Sequence, residues 1–239
     1  MRDLSADRGR AESFGSVASD YARLRPSPPA ALVDELVALA PSRVLDVGCG
    51  TGKVAGALAA RGLSVLGVEL DPRMAALAPV PVEIASFEDW DDRGRTFDLI
   101  TFGDSWHWID PDRGWRKIAR VLAPGGTVVR IWNHHDVDEP LGSAFEAVHR
   151  RVAPELQNVP VVEHLEDDPR VERHTYHWEA TFSADDWVAL IATYSVNQTL
   201  EPAALAELQR GLREAAMAHG GTVTARYRTV VSRSRARPR

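Results

Sequence analysis

Apolar residues along this chain follow two rhythms in turn. Short, nearly continuous aliphatic runs recur at Arg43–Val47, Ser64–Glu69, Val80–Ala85, Phe97–Phe102 and Thr127–Trp132. Between them lie stretches whose apolar positions return every three or four residues. The first kind predicts strands buried on both faces of a parallel sheet, and the second predicts helices that cross between them. Leu32, Leu36, Val37 and Leu39 mark a helix over Ser27–Ala40, opened by Pro28 and Pro29. Gly52–Arg61 makes the first crossover, with Val54 and Leu58 inward and Gly62 as its stop. A short helix over Pro72–Leu77 follows. Asp110-Pro111-Asp112 opens a longer one that runs to Leu122, where Ala123-Pro124-Gly125-Gly126 ends it.

Beyond Trp132 the rhythm loosens. Residues 136–170 are polar and punctuated by proline, with one helix near Gly142–Val152. A long connection of this kind reads as an insertion over the active site. Val171–Phe182 alternates as a sixth strand, Ser183-Ala184-Asp185-Asp186 caps a helix through Tyr194, and Pro202–His219 forms another. Gly220-Gly221 then leads into a last strand, Thr222–Val231. Ahead of the first strand, a short helix from Phe14 ends before Pro26, because the residue before proline avoids helical geometry. Residues 1–12 are charged and aperiodic and read as a disordered tail, and the arginine-rich 233–239 reads as a frayed basic tail. One domain over 13–232 remains.

Composition narrows the functional classes. With 239 residues the chain can bury one α/β core, and its net charge of -6 disfavours a sequence-independent grip on nucleic acid. Cys49 is the single cysteine, which excludes an internal disulfide and a cysteine-based zinc site. Histidines 107, 134 and 135 lack metal-ligand spacing, so no metal is expected. No apolar run reaches the roughly 18 residues that span a bilayer, and the first residues are charged where a signal peptide is apolar. A cytoplasmic location without membrane partners is the expectation.

The chemistry concentrates at Asp46-Val47-Gly48-Cys49-Gly50-Thr51-Gly52. A buried strand turning through glycines into a helix holds a nucleotide-like ligand at the carboxyl edge of an α/β sheet. Lys53 stands where a dinucleotide fingerprint places its third glycine, and Asp46 would repel a phosphate but welcome an ammonium. Glu69, 21 residues after Gly48 at the tip of the second strand, can accept hydrogen bonds from ribose hydroxyls, and Leu70 beside it supplies an apolar wall.

Asp46-Val47-Gly48-Cys49-Gly50-Thr51-Gly52 resembles motif I of the class I S-adenosylmethionine-dependent methyltransferases. A second stretch, Phe97-Asp98-Leu99-Ile100 followed by His107-Trp108-Ile109 and Leu122-Ala123-Pro124-Gly125-Gly126, resembles the small-molecule members. The leader Phe14, Ala18, Tyr21, Arg25, Pro26 is similar to one that folds over the cofactor, which makes 13–40 a helical lid. The segments Thr193–Ser195 and His219–Tyr227 bring the chain nearest to the trans-aconitate methyltransferase-like group.

The resemblance implies a Rossmann-like, doubly wound α/β sheet of seven strands in the order 3-2-1-4-5-7-6, the last strand antiparallel, with helices on both faces. It implies S-adenosyl-L-methionine as cofactor. Asp46 and the backbone of Gly48, Gly50, Thr51, Gly52 and Gly103 would serve the methionine end, Glu69 and Leu70 the nucleoside, and Ser86, Phe87 and Glu88 the adenine. Tyr21, Phe102 and His107 complete that set. The family's acid turn is altered here, with Phe87 intruding. Tyr21, Arg25, Trp106, Trp108, Asn133 and His135 would line the pocket for a small-molecule acceptor. His107 and His134 are the candidate bases, with pocket shaping as the other reading of His107. A carboxylate acceptor needs no base, whereas a phenol or amine does. A binding protein of the same fold without transfer activity is the main rival; a nicotinamide dehydrogenase and a nucleic-acid methyltransferase are weaker ones. Monomer and homodimer both remain open.

Overall fold

The computed structural model describes residues 13–156 and 171–235, so the expected tail at 1–12, part of the expected insertion (157–170) and residues 236–239 lie outside the described residues. A 3-10 turn, Ser13–Val17, leads into α1 (Ala18–Leu24) and α2 (Ala30–Ala38). The strands are β1 (Val44–Val47), β2 (Val65–Glu69), β3 (Val82–Ile84), β4 (Phe97–Gly103), β5 (Leu122–Val137), β6 (Glu172–Ser183) and β7 (Thr222–Arg235). Between them run α3 (Lys53–Ala59), α4 (Pro72–Ala75), α5 (Pro111–Val121), α6 (Leu141–Val152), α7 (Ala184–Ala192) and α8 (Pro202–Ala218). The helix starts follow their sequence signals. Asp71, Asp110 and Ser183 each accept a backbone N–H at the head of α4, α5 and α7.

All seven strands join one sheet in the order β3-β2-β1-β4-β5-β7-β6. The first five run parallel, and β7 is antiparallel to both of its neighbours. Alternation along the strands sends side chains to separate cores. Val44, Leu99, Val129 and Ile131 pack under α2 and α3 with Leu32, Leu36, Ala55 and Leu58. On the opposite face Leu45, Val47, Phe102, Val128 and Trp132 pack under α5 with Ile118. A third core, built from Leu141, Phe145, Trp187, Leu190, Leu208, Leu212, Val223 and Tyr227, joins α6, α7 and α8 to the far ends of β6 and β7.

The structure departs from the sequence expectations mostly in β5 and β7. The Ala123-Pro124-Gly125-Gly126 stop is an irregularity inside β5, where pairing with β4 jumps from Phe97↔Leu122 to Leu99↔Thr127. At its other end β5 continues through Asn133-His134-His135 to Val137, because β7 supplies hydrogen-bond partners along its whole length, out to Val137↔Ala225. Arg233 and Arg235 extend β7 instead of starting a frayed tail, and Arg233 pairs with Glu172. The helix expected through Tyr194 ends at Ala192 with Thr193 as its cap.

Candidate active site

The glycine loop is shaped by backbone. Gly48, Gly50 and Gly52 all have positive φ, and a Cβ on Gly48 would lie 2.6 Å from that of Ser105, whose hydroxyl donates to the Val47 carbonyl at 2.6 Å. Glu69 ties this loop to the tip of β2. One carboxylate oxygen accepts from Gly50 N–H at 2.8 Å, and the other from Leu70 and Asp71 N–H at 2.8 and 2.9 Å. Burial pushes the Glu69 carboxyl above the usual carboxylate range, against those three bonds. Asp46 turns inward instead. Its oxygens take the Thr101 hydroxyl at 2.7 Å and the Ala55 N–H at 3.0 Å, and burial raises its pKa to about 7.

Three residues expected to touch ligand have side chains in the core. Phe87 and Phe102 meet edge to face, Phe102 meets Trp106 in the same way, and Trp106 leans on Trp115; Phe87 and Trp106 are both buried. They fill the layer beneath α5, so Phe87 and Phe102 can offer a ligand only backbone, and Trp106 is not a pocket wall. Trp132 is buried there as well. Ser86 bonds Asp89, and Glu88 accepts the Asp110 N–H at 3.0 Å, which ties this turn to the start of α5.

Helix α1 sits between the two sides of the cleft. Lys53 donates to the Ala22 carbonyl at 2.6 Å, and Phe14 packs edge to face on Tyr21 and on Trp108. Burial raises the Tyr21 phenol to about 12. Arg25 reaches the end of α7. Its Nε and Nη2 donate to the hydroxyl and carbonyl of Thr193 at 2.9 and 3.0 Å, and its guanidinium lies 3.7 Å from the Tyr194 ring centre. Arg23 adds an ion pair to Asp186.

Across the cleft His135 lies among Trp187, Tyr194 and Tyr227, with Nδ1 3.1 Å from the Tyr194 hydroxyl. Burial, with Arg25 nearby, lowers its pKa from 6.5 to about 4. It is therefore neutral at pH 7. His134, one position earlier on β5, alternates onto the face opposite His135 and Asn133, away from the cleft wall that Ile131 and Asn133 form. His107 packs its ring against Trp108 in the turn after β4. Asn133 bonds Asp104 twice, through its backbone N–H at 3.0 Å and its side-chain amide at 2.8 Å. Tyr21, Arg25, Gly48, Gly103, Asp104 and Asn133 line one continuous cleft.

This geometry agrees with what the chain is similar to. Residues 45–130 match the methyltransferase domain family. An uncharacterized methyltransferase of Mycobacterium tuberculosis (strain ATCC 25618 / H37Rv) is 35% identical over 191 residues, 77% of this chain and 76% of that protein. The chain belongs to the methyltransferase family. A ubiquinone biosynthesis O-methyltransferase of Dechloromonas aromatica (strain RCB) is 28% identical over 145 residues, 52% of this chain and 62% of the relative. A solved structure from Anaeromyxobacter dehalogenans, a candidate type II methyltransferase, shares the fold with a TM-score of 0.62 at 22% identity, covering 90% of this chain and 99% of that one.

As an S-adenosylmethionine-dependent methyltransferase, the protein has a loop that suits the cofactor. The positive-φ glycines let a ligand approach the backbone, and the Thr51 hydroxyl is buried there without a hydrogen-bond partner among the described residues. Sequence reasoning missed Asp104 in the methyltransferase's cleft and the rings of Trp187, Tyr194 and Tyr227 around His135. Asp104 had a readable signal, an acid directly after the carboxyl end of the strand beside β1. The others sit in a helix and a strand that were read as elements of the fold and not as parts of a site. Among the described residues, no helix is long and apolar enough to cross a membrane.

Proposed function

We propose that this methyltransferase methylates an oxygen of a small acceptor, a carboxylate before a hydroxyl. When bound, S-adenosylmethionine supplies a methyl group on a cationic sulfur, open to in-line attack. The glycine loop and Glu69 orient it, the lid helix excludes water above it, and the acceptor enters from the β5 and β7 side. The observation that carries the reading is Arg25. Two of its guanidinium nitrogens are spent on Thr193, which leaves Nη1 without a partner among the described residues, on a side chain that lines the cleft. That cation suits an acceptor carboxylate. The neutral His135 supports the same reading, because a base of pKa about 4 serves a phenol or an amine poorly, while a carboxylate arrives ionised. The similarity to the Dechloromonas relative, an O-methyltransferase, points to oxygen too. On this reading the enzyme is cytoplasmic, monomeric or homodimeric, and its acidic chain fits a metabolite and not nucleic acid.

The test is a turnover screen of the purified protein with S-adenosylmethionine and panels of carboxylic acids, phenols and amines, read as S-adenosylhomocysteine release and methyl-ester mass. Carboxylates should turn over first. Turnover of amines alone would overturn the oxygen assignment, and tight cofactor binding without any turnover would identify a sensor of the same fold. Arg25→Ala should raise the KM for a carboxylate acceptor about tenfold or more, as loss of a charge-assisted contact does, with cofactor affinity kept. Equal loss of both would remove Arg25 from the acceptor.

A further inference from the structure

The cleft wall contributed by β4 and β5 holds a hydrogen-bond chain with one possible direction. Trp178 Nε1 on β6 donates to the Thr229 hydroxyl on β7 at 2.9 Å. An indole N–H has no acceptor role, so the hydroxyl must pass its own proton on, and its partner is Asn133 Oδ1 at 2.8 Å. The Asn133 amide oxygen is thereby used, and its NH2 can only face Asp104, which it meets at 2.8 Å. The orientation of this amide follows from the network and is not a free choice. Asp104 is pinned at its backbone as well. Its N–H donates to the Ile131 carbonyl at 2.9 Å, and its φ of 50° lies in the left-handed region that non-glycine residues seldom occupy.

Four strands and a turn therefore fix one carboxylate. Asn133 supplies one donor to each of its oxygens, which leaves a lone pair on each. Asp104 shares the cleft with Gly48 and Gly103, the backbone that the sequence assigns to the methionine end of the cofactor. Asp46, the acid expected to meet the methionine ammonium, lines the same cleft and also accepts one bond on each oxygen, from Thr101 and Ala55, but it is only 1 % exposed, whereas Asp104 is half-buried. We infer that Asp104, in place of Asp46, receives the ammonium of the cofactor's amino-acid tail, and that Asn133, Thr229 and Trp178 are positioning residues for it. The inference rests on the S-adenosylmethionine reading above and assigns one contact within it. It makes the acceptor-side strands part of cofactor recognition.

Calorimetric titration with two ligands separates the tail from the nucleoside. S-adenosylhomocysteine carries the amino acid, and 5′-methylthioadenosine lacks it. Asp104→Asn should weaken S-adenosylhomocysteine by about tenfold or more, the scale of a charge-assisted bond, and leave 5′-methylthioadenosine within about twofold. Thr229→Val should move the same ratio in the same direction by less, and Thr229→Ser should restore it. Trp178→Phe, which keeps an aromatic face for Tyr227 but removes the donor, should resemble Thr229→Val. Unchanged S-adenosylhomocysteine affinity in Asp104→Asn, equal loss of both ligands, or no rescue by serine would each overturn the assignment. A wild-type protein that binds neither ligand would overturn the cofactor reading itself, an outcome distinct from normal binding that ignores Asp104.

Discussion

On the β1 and β2 side of the cleft the site is made of backbone, while on the β5 to β7 side it is made of side chains. The first side consists of three positive-φ glycines and a carboxylate that gathers three N–H groups within two residues of itself or from the loop it faces. The second side consists of aromatic rings and polar groups drawn from β5, β6, β7 and α7, such as His135, Trp187, Tyr194 and Tyr227. A backbone site recognises what every member of a family shares, because its shape hardly depends on side-chain identity. A side-chain site is free to change its ligand by substitution.

Substitutions on the two sides should fail in different ways. Trp187→Ala removes the ring stacked on Phe145 at the centre of the third core and should cost about 3–5 kcal/mol of unfolding free energy in chemical denaturation. A loss below about 1 kcal/mol would mean that this core does not hold the acceptor wall. Gly48→Ala sets a Cβ against Ser105 at an unfavourable φ, and should weaken S-adenosylhomocysteine by about a hundredfold, equivalent to about 2–3 kcal/mol of backbone strain. Glu69→Gln keeps the shape but not the charge that three amides solvate, and should weaken the same ligand by roughly tenfold to thirtyfold. If Glu69→Gln proved more damaging than Gly48→Ala, the first side would be a side-chain site after all.

The two sides also contrast through pH. Asp46, with its pKa raised from 3.8 to about 7, holds a proton in the folded state that the unfolded chain lacks, so its contribution is complete below 3.8 and is lost as pH rises through 7. His135, lowered from 6.5 to about 4, does the reverse, and stability is lost as pH falls through that window. Between pH 4 and 6.5 the two oppose each other, each with a slope of at most about 1.4 kcal/mol per pH unit. Relative to the wild type, Asp46→Asn should gain stability with rising pH across this window and His135→Gln should lose it. Parallel curves for all three proteins would show that neither group is shifted.

The same contrast explains what could be read from the sequence. The glycine loop and the place of Glu69 were legible, because each is set by neighbours close in the chain or by a handed crossover, while the strand order came through the family resemblance. The fate of Phe102 was not, since a strand buried on both faces gives no sign of which layer a ring enters, nor was that of Phe87 and Trp106, which lie in turns without periodicity. Nor was the partnership of Arg25 with Thr193, 168 residues away, or of Thr229 with Asn133, 96 residues away. Polar Asn133-His134-His135 reads locally as the end of a strand, and only β7 shows that it continues.

Helix α1 touches both sides, through Lys53 on one and Arg25 and Arg23 on the other. A brace of this kind makes the two ligands thermodynamically linked. Whatever factor the cofactor adds to acceptor affinity, the acceptor must add to cofactor affinity, and cutting the Lys53 contact should shrink both by the same ratio.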